Sequence, residues 1–227
     1  MDFFEAVDRR RSCRNYSATP VPKEVVEKAI DAALLAPNSS NMQTWKIHWV
    51  KEPAKKAALV KACMSQGAAR TAQELLVFTA DYKRWKKNRQ MLLESIKDNP
   101  RKDLHQYYGK LMPIIYGNHW AAPFKWLFIA IYGLWKPMPR EVAWKRDLQE
   151  VCVKSTALAC ENFMLAVAAQ GFDTCPMEGM DSRRVRKILG LARSTSVVMV
   201  ISVGERTARG IWGERYRIPR EEVVEIV

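Results

Sequence analysis

The stretch EVAWKRDLQEVCVKSTALACENFMLAVAA, residues 141–169, predicts one long helix and decides where the core lies. Apolar and small residues fall on several of its sides: Leu148, Val151, Cys152, Ser155, Leu158, Ala159, Phe163 and Leu165. A helix that is apolar on most sides is a buried one, so we expect it to be central. Gly171 follows as its predicted C-terminal stop.

Shorter elements surround this helix on both sides along the chain. Further helices are predicted at Phe3–Arg10, Pro22–Leu35, Ala54–Cys63 and Arg183–Leu191. Strands are predicted at Lys46–Val50, Leu75–Phe78, Phe172–Cys175 and Val197–Val203. The last strand is apolar on both faces, as expected in the middle of a sheet. Residues 81–120 are basic and polar, end in Pro113 and the turn signal Gly117-Asn118, and predict an excursion from the core.

Composition limits the function classes. The 227 residues are 48% hydrophobic, enough for one buried core or for a subunit that completes its core by association. Five cysteines without paired spacing indicate reduced thiols, and three histidines make a metal site implausible. The N-terminus lacks a signal core, and the longest apolar run, 126–135, is half the length of a membrane span. We therefore expect a cytoplasmic protein whose net charge of +13 favours anionic partners in general.

Two basic groups lie at opposite ends of the chain. Arg10, Arg11, Ser12 and Arg14 lie at the end of the first helix, and Arg215 and Arg217 precede Pro219. Guanidinium groups and a hydroxyl suit phosphate oxygens. The alternative is a solvated helix end and a basic tail.

Two further segments are predicted to form a polar loop and a tight turn. Asn38-Ser-Ser-Asn41 with Gln43 forms a polar loop between a helix and a strand, suited to the edge of a heteroaromatic ring. Pro176-Met-Glu-Gly179 follows a strand, and its glycine lets the backbone approach a flat ligand. Ordinary turns explain either segment alone, with Asp181 as a helix cap after the second.

Taken in this order, the four segments resemble the FMN site of the nitroreductase family, over residues 1–80 and 140–220. The resemblance implies a single α+β domain over residues 1–227, with a central, mostly antiparallel sheet flanked by helices. It also implies a homodimer with the long buried helix at its interface. Residues 81–139 hardly match and would form a divergent excursion or lid.

The resemblance also assigns roles to residues. It places the FMN phosphate against Arg10, Ser12 and Arg14, with Arg11 near the ring or ribityl chain and Arg215 and Arg217 closing on the phosphate. The flavin would contact Asn38, Ser39 and Asn41, the first two from the partner subunit, with Gln43 close by. Pro176 and Met177 would line one ring face, and Glu178 and Gly179 would offer backbone N–H groups. An Asn and a Lys frequent in the family have no clear equivalent here, and Gln66 or Arg70 would substitute for them.

The activity implied is hydride transfer from NADH or NADPH through flavin N5 to an electron-poor nitroaromatic or quinone, with ping-pong kinetics. No catalytic side chain and no metal are required. One alternative is a specialised flavin enzyme of the same fold, such as a dehalogenase or a flavin-degrading member. Another is a basic nucleic-acid-binding protein without catalysis, although we expect no nucleic acid because no recognised motif occurs.

The aromatic and basic residues of 81–139 allow three interpretations. They could be dimer packing beside a solvated basic helix, which the sequence favours. They could line a channel for flat aromatic or anionic substrates. Finally, Trp126, Phe128 and Trp135 within 121–139 could enter lipid while lysines meet headgroups, as a peripheral membrane contact.

Overall fold

A four-stranded antiparallel sheet lies at the centre of the fold, in the order β1-β2-β4-β3. The computed structural model describes residues 1–117 and 119–227, for residue 119 the backbone only, so the predicted turn at Gly117-Asn118 falls partly outside the described residues. The strands are β1 (Trp45–Trp49), β2 (Glu74–Asp81), β3 (Asp173–Met177) and β4 (Thr195–Gly204). Each predicted strand is confirmed, and β4 lies between two neighbours as its apolar sequence indicated.

Helices cover both faces of the sheet. They are α1 (Phe3–Arg9), α2 (Lys23–Leu34), α3 (Pro53–Ala62), α4 (Gly67–Arg70), α5 (Trp85–Ser95), α6 (Lys102–Gln106), α7 (Met112–Tyr116), α8 (Ala122–Tyr132), α9 (Lys145–Ala169) and α10 (Ser182–Ile188). A single wider π turn, Tyr107–Leu111, joins α6 to α7. The mixture of helices with an antiparallel sheet confirms the α+β class.

Helix α9 differs from its prediction at the N-terminus. It begins at Lys145 and not at Glu141, because the Trp144 backbone N–H donates to the Asp147 carboxylate at 2.8 Å and caps the first turn. Its end is as predicted: the helix stops at Ala169, and Gly171 has a φ of +85°, which favours glycine. The prediction of burial holds for most of the helix, but Leu158 is 47% exposed, so one side is open.

The alternation of side chains along β2 builds two core layers. Leu76 and Phe78 point to one face and pack with α2 and α9. Leu75 and Val77 point to the other face and pack with α3 and α10. The long helix therefore lies against one face of the sheet, as expected for a core helix.

The excursion after β2 is more closely joined to the core than its sequence predicted. Trp85, Met112 and Tyr116 are buried and form a third apolar cluster with Leu148 and Cys152 of α9. The prediction that residues 81–120 stand apart from the core is wrong for these positions. These buried positions were not predicted because the segment is basic overall, and the few apolar residues that make the contacts are widely spaced along it.

In the described ranges, 1–117 and 119–227, α9 is long and apolar enough to cross a bilayer by length and composition. Half of its most apolar window is buried inside the protein. The core helix of a soluble protein meets the same criterion, so this finding is weak evidence for a span.

Candidate functional site

The basic segment after α1 is held in an extended conformation along the edge of the sheet. The Cys13 backbone N–H donates to the Thr174 carbonyl of β3 at 2.9 Å, and Arg14 N–H donates to the Gly210 carbonyl at 2.7 Å. Tyr16 anchors the segment because its hydroxyl lies 2.8 Å from that of Ser202 within the core. Burial raises the pKa of Tyr16 well above its ordinary value, so this anchor stays neutral. The segment is thus fixed before any ligand arrives.

Helix α4 supports the same segment by close approach of two backbones. A Cβ atom at Gly67 would lie 2.6 Å from the Arg14 carbonyl oxygen, closer than real contacts allow. The neighbouring Gln66 side chain donates to the Gly179 carbonyl at 2.8 Å. Gln66 therefore links the basic segment to the Pro176–Gly179 turn. It is one of the two residues, with Arg70, that the sequence analysis suggested as substitutes for the missing Asn and Lys.

We expect Gly67→Ala to destabilise the fold by about 1–3 kcal/mol, because a backbone oxygen has to shift to admit the new methyl group. Urea unfolding of the wild type and the variant measures this change. Gly109→Ala is the matched control, since a Cβ at Gly109 meets nothing within 4 Å. Equal loss in both variants would contradict the close-approach argument.

A cavity of about 310 Å³ lies between the basic segment and the C-terminal tail. It brings together all six residues of the two basic groups, Arg10, Arg11, Ser12, Arg14, Arg215 and Arg217, of which all but Arg11 were predicted to hold the phosphate. Glu214 is the one acidic residue among those lining it. The two ends of the chain therefore meet at one concave, strongly positive surface.

The arginines of this cavity are not equivalent. Arg215 donates to the Asp8 carboxylate at 2.8 Å and to the carbonyl groups of Asp8 and Arg10, which ties the tail to α1. Arg10 lies 3.8 Å from a Glu161 carboxylate oxygen of α9. In the part of the chain that the structure describes, none of Arg11, Arg14 and Arg217 forms an ion pair. These three carry the charge that remains for an anionic ligand.

Two contacts of the cavity arginines were not predicted from the sequence. The Arg14 guanidinium lies over the Trp212 ring, 4.5 Å from its centre, which restricts the orientation of that arginine. Arg11 donates to the Gly213 carbonyl at 3.1 Å. No local sequence pattern predicts these contacts, because each joins residues about two hundred positions apart.

Pro176 and Met177 lie within β3 and not after it, because both pair with β4, and Met177 is buried. Glu178 and Gly179 then turn away beside the basic segment. The Met180 N–H donates to the Glu178 carbonyl at 2.8 Å and closes the turn. Because the N–H and C=O of a trans peptide point in opposite directions, the Gly179 N–H points away from this contact. Asp181 then caps α10 by accepting from Arg183 N–H and Arg184 N–H, both at 3.0 Å, which confirms its predicted role.

The third group, Asn38 to Gln43, forms a strained turn between α2 and β1. Ser40, Asn41 and Gln43 have φ values of 55°, 53° and 44°, in a region that residues other than glycine rarely occupy. The Asn38 side-chain oxygen accepts from Gln43 N–H at 2.8 Å, and Gln43 donates to the Asn41 side chain at 3.0 Å. Tyr116 donates to Ser39 Oγ at 3.1 Å, so the excursion supports this turn.

Within one chain, this turn and the arginine cavity do not form a single pocket. The turn leads into β1, whereas the cavity lies beside β3, and the two strands are the opposite edges of the sheet. Three strand spacings amount to roughly 14 Å. Asn41 and Gln43 instead line a separate cavity of about 610 Å³, with Lys46, Arg84 and Lys87 among its other walls.

All five cysteines are free and buried. Burial raises the pKa of the Cys175 thiol beside the turn, with the Arg14 charge acting in the opposite direction. Burial also raises the pKa of Cys13 and of Cys63 to about 11. These thiols are therefore protonated at neutral pH, which fits small apolar core residues better than redox centres. Among the described residues, no three His, Cys, Asp or Glu side chains cluster as a metal site.

We expect the native protein to react slowly with a thiol reagent near neutral pH and to expose five reactive thiols after denaturation. Because folding raises the pKa of Cys13 from 9.0 to about 11, its contribution to stability is complete below pH 9. That contribution decreases as the pH rises from about 9 toward about 11. Labelling kinetics and urea unfolding across this range check both statements, and rapid labelling of the native protein would contradict them.

Comparison with known proteins shows which family this chain resembles in sequence. A sequence model described as "Nitroreductase family" matches residues 7–205. A Thermus thermophilus protein named NADH dehydrogenase is 29% identical over 226 residues, which cover 99% of this chain and 95% of that protein. A Bacillus subtilis protein provisionally named NAD(P)H nitroreductase MhqN is 26% identical over 227 residues, 99% of this chain and 98% of its own length.

The fold also matches a solved structure. The crystal structure of a provisionally named nitroreductase from Exiguobacterium sibiricum, in complex with FMN, superposes with a TM-score of 0.72. The match covers 100% of this chain and 98% of that one at 22% identity, so it shows a shared fold.

Proposed function

The chain belongs to the nitroreductase family, and from this membership we propose that it is an FMN-dependent oxidoreductase. In this proposal NADH or NADPH is the reductant, and an electron-poor nitroaromatic or quinone is the acceptor. Family membership and the names of the relatives support the coarser statement that the protein is an oxidoreductase.

One observation carries the proposal: the arginine cavity joins the two ends of the chain around three guanidinium groups that have no carboxylate partner among the described residues. A phosphomonoester carries close to two negative charges and three strong acceptor oxygens. Arg14, Arg217 and the Ser12 hydroxyl supply the complementary charge and donors. The cavity therefore fits the phosphate of FMN, and the FMN-bound relative of the same fold supports that choice of ligand.

The ring of the cofactor would extend from this cavity toward β3. Pro176 and Met177 would lie against one face, and the Gly179 N–H, which points away from its own turn, would meet a polar ring edge. When bound, FMN supplies the chemistry of hydride transfer, so no side-chain nucleophile or general base is required. The residues of the chain bind and orient the ring, shield one face, and place positive charge near it.

A second subunit would complete the site. Asn38, Ser39, Asn41 and Gln43 carry polar groups suited to a flavin edge, but lie at the opposite edge of the sheet from the arginine cavity. A homodimer in which one subunit supplies the arginines and its partner supplies this turn accounts for both groups. The open side of α9 at Leu158 offers an apolar surface for such an interface.

The remaining assignments follow from the same proposal. We propose one domain over residues 1–227 in which residues 81–139 form the wall or lid on the acceptor side. Tyr116 supports this role, because it joins the excursion to the polar turn through Ser39. The proposed location is cytoplasmic.

The proposed function is tested with purified protein in two steps. First, the visible spectrum before and after addition of FMN shows whether the flavin is retained through gel filtration. Second, rates with NADH and NADPH are measured against a panel of nitroaromatics, quinones and halogenated phenols. Parallel double-reciprocal plots are expected for a ping-pong mechanism. A colourless protein that retains no FMN, yet binds single-stranded DNA with a steep salt dependence, would overturn the proposal.

A further inference from the structure

Helix α8 turns its apolar stripe away from the protein. Phe124, Leu127, Phe128 and Ile131 follow the spacing i, i+3, i+4, i+7 that normally faces a core. Here all four are exposed, whereas Ala122 and Ile129, on the other side of the helix, are buried; Trp126, predicted to enter lipid, lies on that other side and is 54% exposed. Trp120 before the helix and Trp135 after it are exposed apolar residues as well. Exposure of these six large side chains ranges from 49% to 81%.

This outer surface, called here the α8 face and made of Trp120, Phe124, Leu127, Phe128, Ile131 and Trp135, lies in a stretch without acidic residues. Residues 104–140 contain no Asp or Glu, but contain Lys110, Lys125, Lys136 and Arg140. Lys125 is engaged with the carbonyl groups of Ile114 and Gly117. Lys136 follows Trp135 directly, and the Arg140 guanidinium packs over Gly133 at the end of α8. Exposed positive charge thus borders the apolar stripe.

The charge around the α8 face distinguishes between two candidate partners for it, a second copy of the chain and a lipid bilayer. A second copy whose two-fold axis passed through this surface would bring the same patch against itself, so its basic border would face a basic border. An anionic bilayer surface has the opposite sign, attracts Lys and Arg side chains, and accepts Trp and Phe at its interface. The net charge of +13 acts in the same direction over longer distances.

We propose that the α8 face docks the protein on anionic lipid bilayers. The six apolar side chains enter the boundary between headgroups and acyl chains, while Lys136 and Arg140 contact lipid phosphates. The helix lies in the plane of the surface and does not cross it, because its 11 residues span roughly half of the hydrocarbon core. The proposal does not rest on the FMN site, since none of these residues lines the arginine cavity.

Vesicle co-sedimentation of the purified protein, as isolated, tests the proposal. Vesicles of phosphatidylcholine alone are compared with vesicles that also contain phosphatidylglycerol. We expect binding to the anionic vesicles, weakened by salt, and little binding to the neutral ones. The variant Phe124→Ser/Trp135→Ser removes two side chains that are 72% and 74% exposed, and should lower the partition coefficient at least about tenfold.

A matched control removes equally exposed apolar side chains elsewhere. Phe4 and Leu35 are 79% and 83% exposed, so Phe4→Ser/Leu35→Ser should bind vesicles like the wild type. Light scattering of each variant gives its mass in solution. Absence of binding by the wild type, or equal binding by wild type and α8 variant, would overturn the proposal. A lower mass of the α8 variant without any vesicle binding would overturn it in favour of a second copy as the occupant.

Discussion

Replacing Arg14 and Arg217 together by alanine is expected to weaken FMN binding by about 100-fold or more. Hydrogen bonds to charged groups contribute about 1.5–3 kcal/mol each, and about 1.4 kcal/mol changes a dissociation constant tenfold. Both arginines line the cavity without a carboxylate partner among the described residues, so their loss leaves no unpaired acid behind. The fold should therefore persist while the affinity for FMN falls.

Fluorescence titration of the apoprotein with FMN and with riboflavin measures this effect. Riboflavin lacks the phosphate, so the double substitution should change its dissociation constant far less than that of FMN. Arg146→Ala/Arg193→Ala is the matched control, since it removes the same charge at two exposed arginines that do not line the cavity. Unchanged FMN affinity in the Arg14/Arg217 variant would show that the phosphate binds elsewhere.

Phe163→Ala is expected to lower the free energy of unfolding by about 3–5 kcal/mol, because it opens a cavity where α9 meets the sheet. Phe163 is fully buried and packs edge to face against Phe78 of β2, with ring centres 5.5 Å apart. This contact joins the long helix to the central strands within one apolar cluster. A loss of this size removes a large part of the stability of an ordinary domain.

Urea unfolding of the apoprotein at one fixed protein concentration measures the change, since dimer formation would make stability depend on concentration. Leu158→Ala on the same helix is the control. Leu158 is 47% exposed in the single chain, so its truncation should cost far less than that of Phe163. Similar losses for the two variants would mean that α9 is not anchored to the sheet in the way described.

Local sequence patterns predicted those parts of the fold that local physics decides. The apolar run of β4 indicated a strand in mid-sheet, and Gly171 marked the end of α9. The start of α9 was missed by four residues, because a capping contact from Asp147 outweighs the apolar pattern before it. Strand β2 runs to Asp81, beyond its predicted end, since pairing with β1 and β4 continues there.

Sequence order predicted that the two basic groups meet, but not the contacts that hold them. The order of the four segments was enough to expect the two basic groups in one place, and the cavity does contain both. The sequence could not show that Arg215 is engaged with Asp8, or that Trp212 lies under Arg14. Such pairs join residues about two hundred positions apart, so no local pattern records them.

A crystal structure of the protein grown with FMN is the most direct measurement. We expect a phosphate in the arginine cavity, with the guanidinium nitrogens of Arg14 and Arg217 about 3 Å from its oxygens. We also expect the ring between Pro176–Gly179 of one subunit and the Asn38–Gln43 turn of the other. A flavin bound within a single chain, or a phosphate held away from both arginines, would contradict the proposed site.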